Sequence, residues 1–341
     1  MDLKYITRVL GGTSMKRMFH CADLVCARTK KSRLGVILDM FSCARRYGAG
    51  YYDYLIFEFD KMTKAQRATY MTRFTNKKLM GMMNDPEYAV LFDEKHQFYQ
   101  HFSEYLGRDF VSLSQCSRDE LKAFLAGKTQ IIAKPTEGEC GKGIEKLQVS
   151  DFADADALCD YLLAAENGFG VAEGVIIQHS EMSRLYPDSV NCLRITTVLH
   201  EGKGHALYAV LKTGNNGKFV DNLESGGFAC HVDFETGIVC GPGHTSSSIS
   251  DSILAKSHPA TGVAFRGFKV PFFKEAIAMV EEAAMKIPQV RYIGWDVCIT
   301  ENGPAIIEGN NYAAYDFPQL PDDSQPREGL LKKIRDLGVE I

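Results

Sequence analysis

The sequence predicts an α+β protein that opens with a helical region, and three observations predict it. Residues 1 to about 80 carry apolar positions at helical spacing between basic ones. Beyond residue 130, short β-rich runs follow one another closely, with glycine-bearing turns between neighbours. Only a few helical patterns interrupt those runs, which argues against a doubly wound sheet.

In the first region, AQRATYMTRFTNKKLMGMMN puts Ala68, Met71, Phe74 and Leu79 near one helical face. Asn84-Asp85-Pro86 then reads as a turn or cap. Residues 88–127 are mixed, and SRDELKAFLAG starts with a capping pair, Ser117 and Glu120. The expected strands are QIIAKP, GIEKLQV, GVIIQHS, CLRITTVLH and HALYAVLK. DADALCDYLLAAE and FFKEAIAMVEEAAMKI are the expected helices among them.

Composition excludes several classes. With 45% apolar and 24% charged residues in a 341-residue chain, the mixture is that of an ordinary globular protein. No run approaches the roughly 18 apolar residues of a membrane helix. MDLKYITRVLGGTSMKRMFH lacks a signal-peptide pattern, so the expected location is cytoplasmic. The 10 cysteines are irregularly spaced with no CxxC pair, which suggests reduced thiols and no disulfide frame. Cys21 and Cys26 resemble zinc-ligand spacings only loosely, so no zinc site is expected. Residues 1–80 hold 16 basic against 6 acidic residues, and the remainder 23 against 37. A basic head on an acidic body is either a set of solvated helix faces or a contact for an anionic partner. A membrane surface, a peptide or carrier protein, or the substrate is such a partner, and no nucleic acid is expected.

QIIAKPTEGECGKGIEKLQV is a strand, a glycine loop and a second strand. Gly138, Gly141 and Gly143, with Lys134 and Lys142, suit either a plain hairpin turn or a cradle for phosphate oxygens. A P-loop is excluded, because Gly143 and a β-run follow Lys142. GVIIQHS, followed by Glu181, reads as a buried strand leaving the core or as an adenine-binding edge with a ribose acceptor. Arg194 in an otherwise apolar strand needs an anion or a salt-bridge partner, and Lys212 lies on the next strand.

GWDVCITENGPAIIEGN, Gly294–Asn310, reads as a hairpin around Glu301–Pro304. Alternation places Asp296, Cys298 and Thr300 on one face of the first strand. Ile306, Glu308 and Asn310 share a face of the second. Asp296 meets Glu308 only if the loop is odd, with three or five residues; an even loop separates them. Two opposed carboxylates repel, and a hard divalent cation held by carboxylate and amide oxygens offsets that. On this reading Asp296→Asn and Glu308→Gln both abolish turnover and leave the fold intact.

Taken together, Lys134 before a glycine loop, VIIQHS, and the D…ExN set Asp296, Glu308 and Asn310 resemble the ATP-grasp superfamily. VNCLRITTV, VDNLESGGFACHVDFETG, HPATGVAFRGFKVP and GWDVCITENGPAIIEGN narrow the resemblance to the sugar-transfer-associated ATP-grasp family, which is related to α-L-glutamate ligases. The likeness covers residues 85–320 well and 40–85 more loosely. It implies an ATP-grasp fold with ATP between two α+β lobes. The implied divisions are a basic helical region (1–84), a mixed segment (85–129), a small lobe with the glycine loop (130–180) and a large lobe with the metal site (181–341).

The resemblance also implies roles. Lys95 and Lys134 contact nucleotide phosphates or adenine, and Gly138, Gly141, Lys142 and Gly143 close over the phosphates. Gln178, His179 and Glu181 bind adenine and ribose. Arg194, aided by Lys212 and Asn222, stabilises the transferred phosphoryl group. Asp296, Glu308 and Asn310 hold one or two Mg2+ ions, with Mn2+ as a substitute. The implied activity is an ATP-dependent ligase joining a small carboxylate to an amine through an acyl phosphate, in glycan, cell-surface or specialised-metabolite assembly. The alternatives are a ligase acting on a peptide or protein, and a non-catalytic ATP-binding regulatory module.

Overall fold

A computed structural model of the chain describes residues 14–136, 143–221, 223–245, 254–324 and 326–341. These form two compact units, 14–82 with 314–341, and 83–245 with 254–313.

The first unit is helical, as the periodicity predicts. It holds α1 (Met15–Thr29), α2 (Arg33–Tyr47), α3 (Tyr51–Ile56), α4 (Lys64–Arg67), α5 (Arg73–Met83, whose last residue begins the second unit) and the final helix, α12 (Leu330–Asp336). Ser14 and Ser32 cap α1 and α2 by accepting from the Arg17 and Gly35 amides. The single stripe expected across Ala68–Leu79 is broken into α4 and α5. Threonine explains the break: Thr69 Oγ1 donates to the Gln66 carbonyl, and the Thr72 amide donates to Thr75 Oγ1. Short hydroxyl side chains here compete with the helical ladder for the backbone. Phe74, expected on the apolar face, is 62% exposed.

Residues 314–341 were expected in the large lobe, but they group with the N-terminal helices. Gln319 is the tie. Its Oε1 accepts from the Met71 and Leu330 amides, and its Nε2 donates to the Met71 and Tyr315 carbonyls. One buried amide therefore spends its whole bonding capacity joining segments distant in sequence.

The second unit contains both sheets, and all their strand pairs are antiparallel. Helices α6 (Pro86–Asp93) and α7 (Lys95–His101) lead into it, with Asp85 capping α6 and Pro86 in its first turn. The four-stranded sheet has the order β1 (Phe110–Ser112), β4 (Phe169–Gly174), β2 (Gln130–Pro135), β3 (Glu145–Gln148). Helices α8 (Arg118–Leu125) and α9 (Ala155–Leu163) pack Leu121, Leu125, Leu158 and Leu162 against its Ile131, Ala133 and Ala172. Ser117 and Glu120 form the expected capping box on α8.

The larger sheet runs β11 (Gly303–Asn310), β10 (Tyr292–Thr300), β5 (Cys192–His200), β6 (Lys203–Thr213), β7 (Phe228–Val232), β8 (Val239–His244), β9 (Leu254–Ala255). The short helix α10 (Ser180–Leu185) precedes it, and α11 (Phe273–Ala283) packs on it. One expected strand shifts: GVIIQHS is not a strand, because β4 lies upstream at Phe169–Gly174 and only Gln178 makes an isolated bridge, to Thr300. Apolar composition does not distinguish a strand from a connector between two sheets, and Ile177 in that connector is 79% exposed.

Trp295, Val297 and Ile299 face the core, as alternation requires, and Trp295 packs against Phe92 and Phe102. Opposite Trp295 stands Gly309, where a Cβ would lie 2.9 Å from the Phe92 and Phe98 rings. Gly309→Ala should therefore destabilise the fold by about 1–3 kcal/mol through overpacking. An unchanged denaturation midpoint in that variant would show that the aromatic cluster yields without cost.

Candidate functional site

The hairpin sets the site, and its turn differs from expectation. Thr300 pairs with Gly303, so the loop is the even pair Glu301–Asn302. An even loop alone would put Glu308 opposite Trp295. The ladder instead shifts between Asp296 and Val297: Val297 pairs with Ile306, and Asp296 with Glu308. Ile307 is the extra residue of a β-bulge, and the bulge restores the parity that the turn removes. Ile306 consequently lies in the core and not beside Glu308.

Register then aligns functional groups across strands. Glu308, Asp296 and Arg194 occupy one row over β11, β10 and β5, while Cys298, Cys192 and Lys212 form the next. Arg194 donates to Asp296 through Nε (2.5 Å) and Nη2 (2.9 Å). Lys212 Nζ lies 3.1 Å from Asp296 and 3.2 Å from Asp221. Burial alone would raise the Asp296 pKa, but the Arg194 and Lys212 charges outweigh it and hold the carboxyl well below the usual range. Lys212 is likewise buried, and Asp221 and Asp296 keep it charged.

Glu308 is different. It is exposed to solvent yet closely surrounded by protein, and desolvation together with the Asp296 charge pushes its pKa up. Among the described residues it forms no ion pair; its one hydrogen bond is a long contact from Asn310 Nδ2, at 3.5 Å. Asn310 Nδ2 also reaches the Gly294 carbonyl at 3.3 Å. Two carboxylates and an amide on one face, one acid lacking a counter-ion, fit a hard divalent cation. Asp296 Oδ2 already accepts from both cations, but Oδ1 accepts only from Arg194 Nε and keeps a further lone pair.

A second charged cluster joins the sheets. Lys134, at the end of β2, lies 2.8 Å from Glu173 on β4 and donates to the Tyr99 hydroxyl at 2.8 Å. Tyr99 in turn hydrogen-bonds Glu173. Arg108 donates to Glu173 from Nε at 2.9 Å and reaches the Ile306 carbonyl at 2.9 Å and that of Ile307 at 3.4 Å. Sequence reasoning missed Glu173, Tyr99 and Arg108. Glu173 was findable, because a lone carboxylate in VAEGV is the same signal that marked Asp296.

The remaining expected residues are scattered in role. Gln178 spends its amide inside the protein: Nε2 donates to the Tyr186 and Ser189 carbonyls, and Oε1 accepts from the Asn191 amide and Nδ2. No donor or acceptor of that side chain is left for a nucleotide. His179 caps α10 by accepting from the Glu181 amide, and exposed Glu181 pairs with Arg184 at 2.6 Å. Half-buried Lys95 begins α7. Gly143, with φ +72°, resumes the chain toward β3. Gly138, Gly141, Lys142 and Asn222 lie outside the described residues, as do residues 1–13 of the basic head.

A family model described as sugar-transfer associated ATP-grasp matches residues 159–336. No curated protein matches the sequence. Among solved structures, the chain is similar to the ATP-grasp ligase PsnB complexed with minimal precursor, at 12% identity over 75% of this chain and 64% of that one, TM-score 0.42. It is similar to D-alanyl-alanine synthetase A from Vibrio cholerae O1 biovar eltor str. N16961, at 11% identity over 74% and 66%, TM-score 0.42. It is also similar to an L-amino acid ligase from Bacillus licheniformis, at 13% identity over 80% and 54%, TM-score 0.38. The chain spans less than two thirds of the length of each of these three structures.

The geometry separates two substitutions that the sequence treats alike. Asp296→Asn leaves buried Arg194 and Lys212 short of their shared partner and should cost about 3–5 kcal/mol of stability. Glu308→Gln removes an unpaired charge and should be neutral or stabilising by up to about 1 kcal/mol. Equal denaturation midpoints for the two variants would contradict this assignment. The sign with pH follows from the depressed Asp296 pKa: its contribution is complete above about pH 4 and is lost as pH falls below that. The stability gap between the wild type and Asp296→Asn should therefore close on acidification.

Proposed function

The chain belongs to the sugar-transfer-associated ATP-grasp family, and on that premise we propose that it is an ATP- and Mg2+-dependent carboxylate–amine ligase working through an acyl phosphate. One observation carries the reading. Glu308, an acid without a counter-ion among the described residues, stands in a row with Asp296, whose two cations each retain an unspent donor. Arg194 uses Nε and Nη2 on Asp296 and keeps Nη1 for an incoming oxygen. Lys212 bonds Asp296 and approaches Asp221, which leaves a third N–H.

On this reading ATP lies between the two sheets, and the lobes are those expected at 130–180 and from 181 onward, the latter ending at Ala313. Lys95, Lys134 and the loop at 138–143 take the phosphates, while the connector at 175–179 lines the adenine. Asp296, Glu308 and Asn310 would hold Mg2+, or Mn2+ in its place, and the ion would neutralise phosphate charge. A substrate carboxylate oxygen attacks the γ-phosphorus, and the bond to the ADP oxygen breaks. Arg194 Nη1 and Lys212 Nζ hold the charge gathering on the transferred group. A neutral amine then attacks the acyl carbon, phosphate leaves with the bonding pair, and the amine nitrogen gives up a proton. Asn222 would assist Lys212. The family name supports a setting in glycan or cell-surface assembly.

A second reading concerns the substrate. Lys16, Arg17, Lys30, Arg45 and Arg46 are exposed on or beside α1 and α2 with no ion pair among the described residues. That surface suits an acidic peptide or carrier protein as the source of the carboxylate or amine.

Pooled carboxylates and amines should stimulate release of ADP and phosphate, and hydroxylamine should trap a hydroxamate. Glu308→Gln should lower that turnover about 100-fold or more while the protein stays folded. Nucleotide binding without any stimulated turnover would point to a regulatory module, and a stable phosphorylated product to a kinase.

A further inference from the structure

We infer that Arg108 is a positioning residue for the proposed metal carboxylate: it holds the bulge at Ile307 and thereby keeps Glu308 on the same face as Asp296. The inference rests on the proposed ligase reading for its importance, but not for its geometry. A bulge leaves backbone groups without ladder partners, and those groups must be satisfied elsewhere if buried. Arg108 supplies the partners. Its Nη1 donates to the Ile306 carbonyl at 2.9 Å, and its Nη2 lies 3.4 Å from the Ile307 carbonyl. The remaining donors fix the guanidinium: Nε to Glu173 at 2.9 Å, Nη1 also to the Leu106 carbonyl at 2.9 Å, and Nη2 to the Tyr99 hydroxyl at 3.0 Å.

The backbone beside Arg108 is shaped for the same contact. Gly107 has φ +60°, and a Cβ there would lie 2.8 Å from the Ala305 methyl, so only glycine lets this loop lie against β11. The Arg108 side chain is 3% exposed, which rules out a solvent role. Without the bulge, the two-residue turn would pair Asp296 with Ile307 and place Glu308 opposite buried Trp295. Arg108 thus decides which face the second carboxylate takes, and it links that face to Lys134 through their shared partner Glu173.

The competing account is that the Phe92, Phe98 and Trp295 packing alone fixes the register. Deletion of Ile307 distinguishes the two, because it restores the Asp296–Glu308 pair with no bulge to support. In a full-length Glu308→Cys background, iodoacetamide labelling of the introduced thiol is followed by peptide mass spectrometry. Arg108→Lys keeps the charge beside Glu173 but loses the fork that spans both carbonyls; Arg108→Met loses both. Labelling should slow about tenfold or more in each folded variant, as the thiol turns toward the core. Deleting Ile307 should return the rate to within about twofold of the parent. An unchanged or faster rate with Arg108→Lys, or failure of the deletion to restore it in either Arg108 variant, overturns the inference.

Mn2+ binding with Glu308 intact gives a second readout. Arg108→Lys should weaken it, the deletion should recover it, and unchanged affinity would count against the positioning role. If the wild type binds no Mn2+ while the labelling behaves as expected, the ligase reading fails and the role of Arg108 in register stands.

Discussion

The buried carboxylate of Asp296 holds the centre of the site together. It sits on β10, and its two cations come from β5, the strand beside its own, and from β6, one strand beyond. Arg194 has no other carboxylate within ion-pair distance among the described residues, Lys212 shares it with Asp221, and Asp296 stays ionised because of both cations. The network makes the cross-strand row rigid before any substrate arrives. Such preorganisation is what phosphoryl transfer demands, since most of its catalysis is placement of charge.

The two clusters are balanced between them. Among the described residues, Arg108, Lys134, Arg194 and Lys212 face Glu173, Asp221, Asp296 and Glu308. Four positive groups against four negative ones leave no surplus to neutralise a polyphosphate. On the proposed reading a nucleotide entering this site needs cations that travel with it, and Glu308, unpaired among the described residues, supports metal binding more than a further salt bridge would. The arrangement also gives the cations two duties, holding carboxylates in the resting protein and offering leftover donors to an incoming anion.

Much of the fold was legible because periodicity is local. The helical head, the capping box at Ser117 and Glu120, and most strands follow from neighbours within a few residues. The faces of β10 were readable for the same reason, with Trp295 on one face and Asp296 on the other. The bulge was not readable. It depends on Arg108, 198 residues away from Ile306, and no local pattern announces such a partner. Gln178 shows the complementary limit: an amide after an apolar run resembles a ligand contact, whereas its bonds close a loop onto Asn191, Tyr186 and Ser189. The return of residues 314–341 to the helical unit also depends on a distant tie, through Gln319.

The bulge carries an evolutionary consequence. Ile307 is one residue in reserve, so loss of its codon would be absorbed by annealing the ladder while both carboxylates stay opposed. Loss of a codon at the turn would keep them opposed only by rotating Ile306 out of the core. Gain of a codon would need a second bulge or a longer turn. Insertions and deletions in this hairpin are therefore filtered by side-chain parity more strictly than single substitutions are. Related sequences should vary in length here in ways that conserve facing, so an alignment that places its gap at the turn will assign the wrong residue to the second carboxylate.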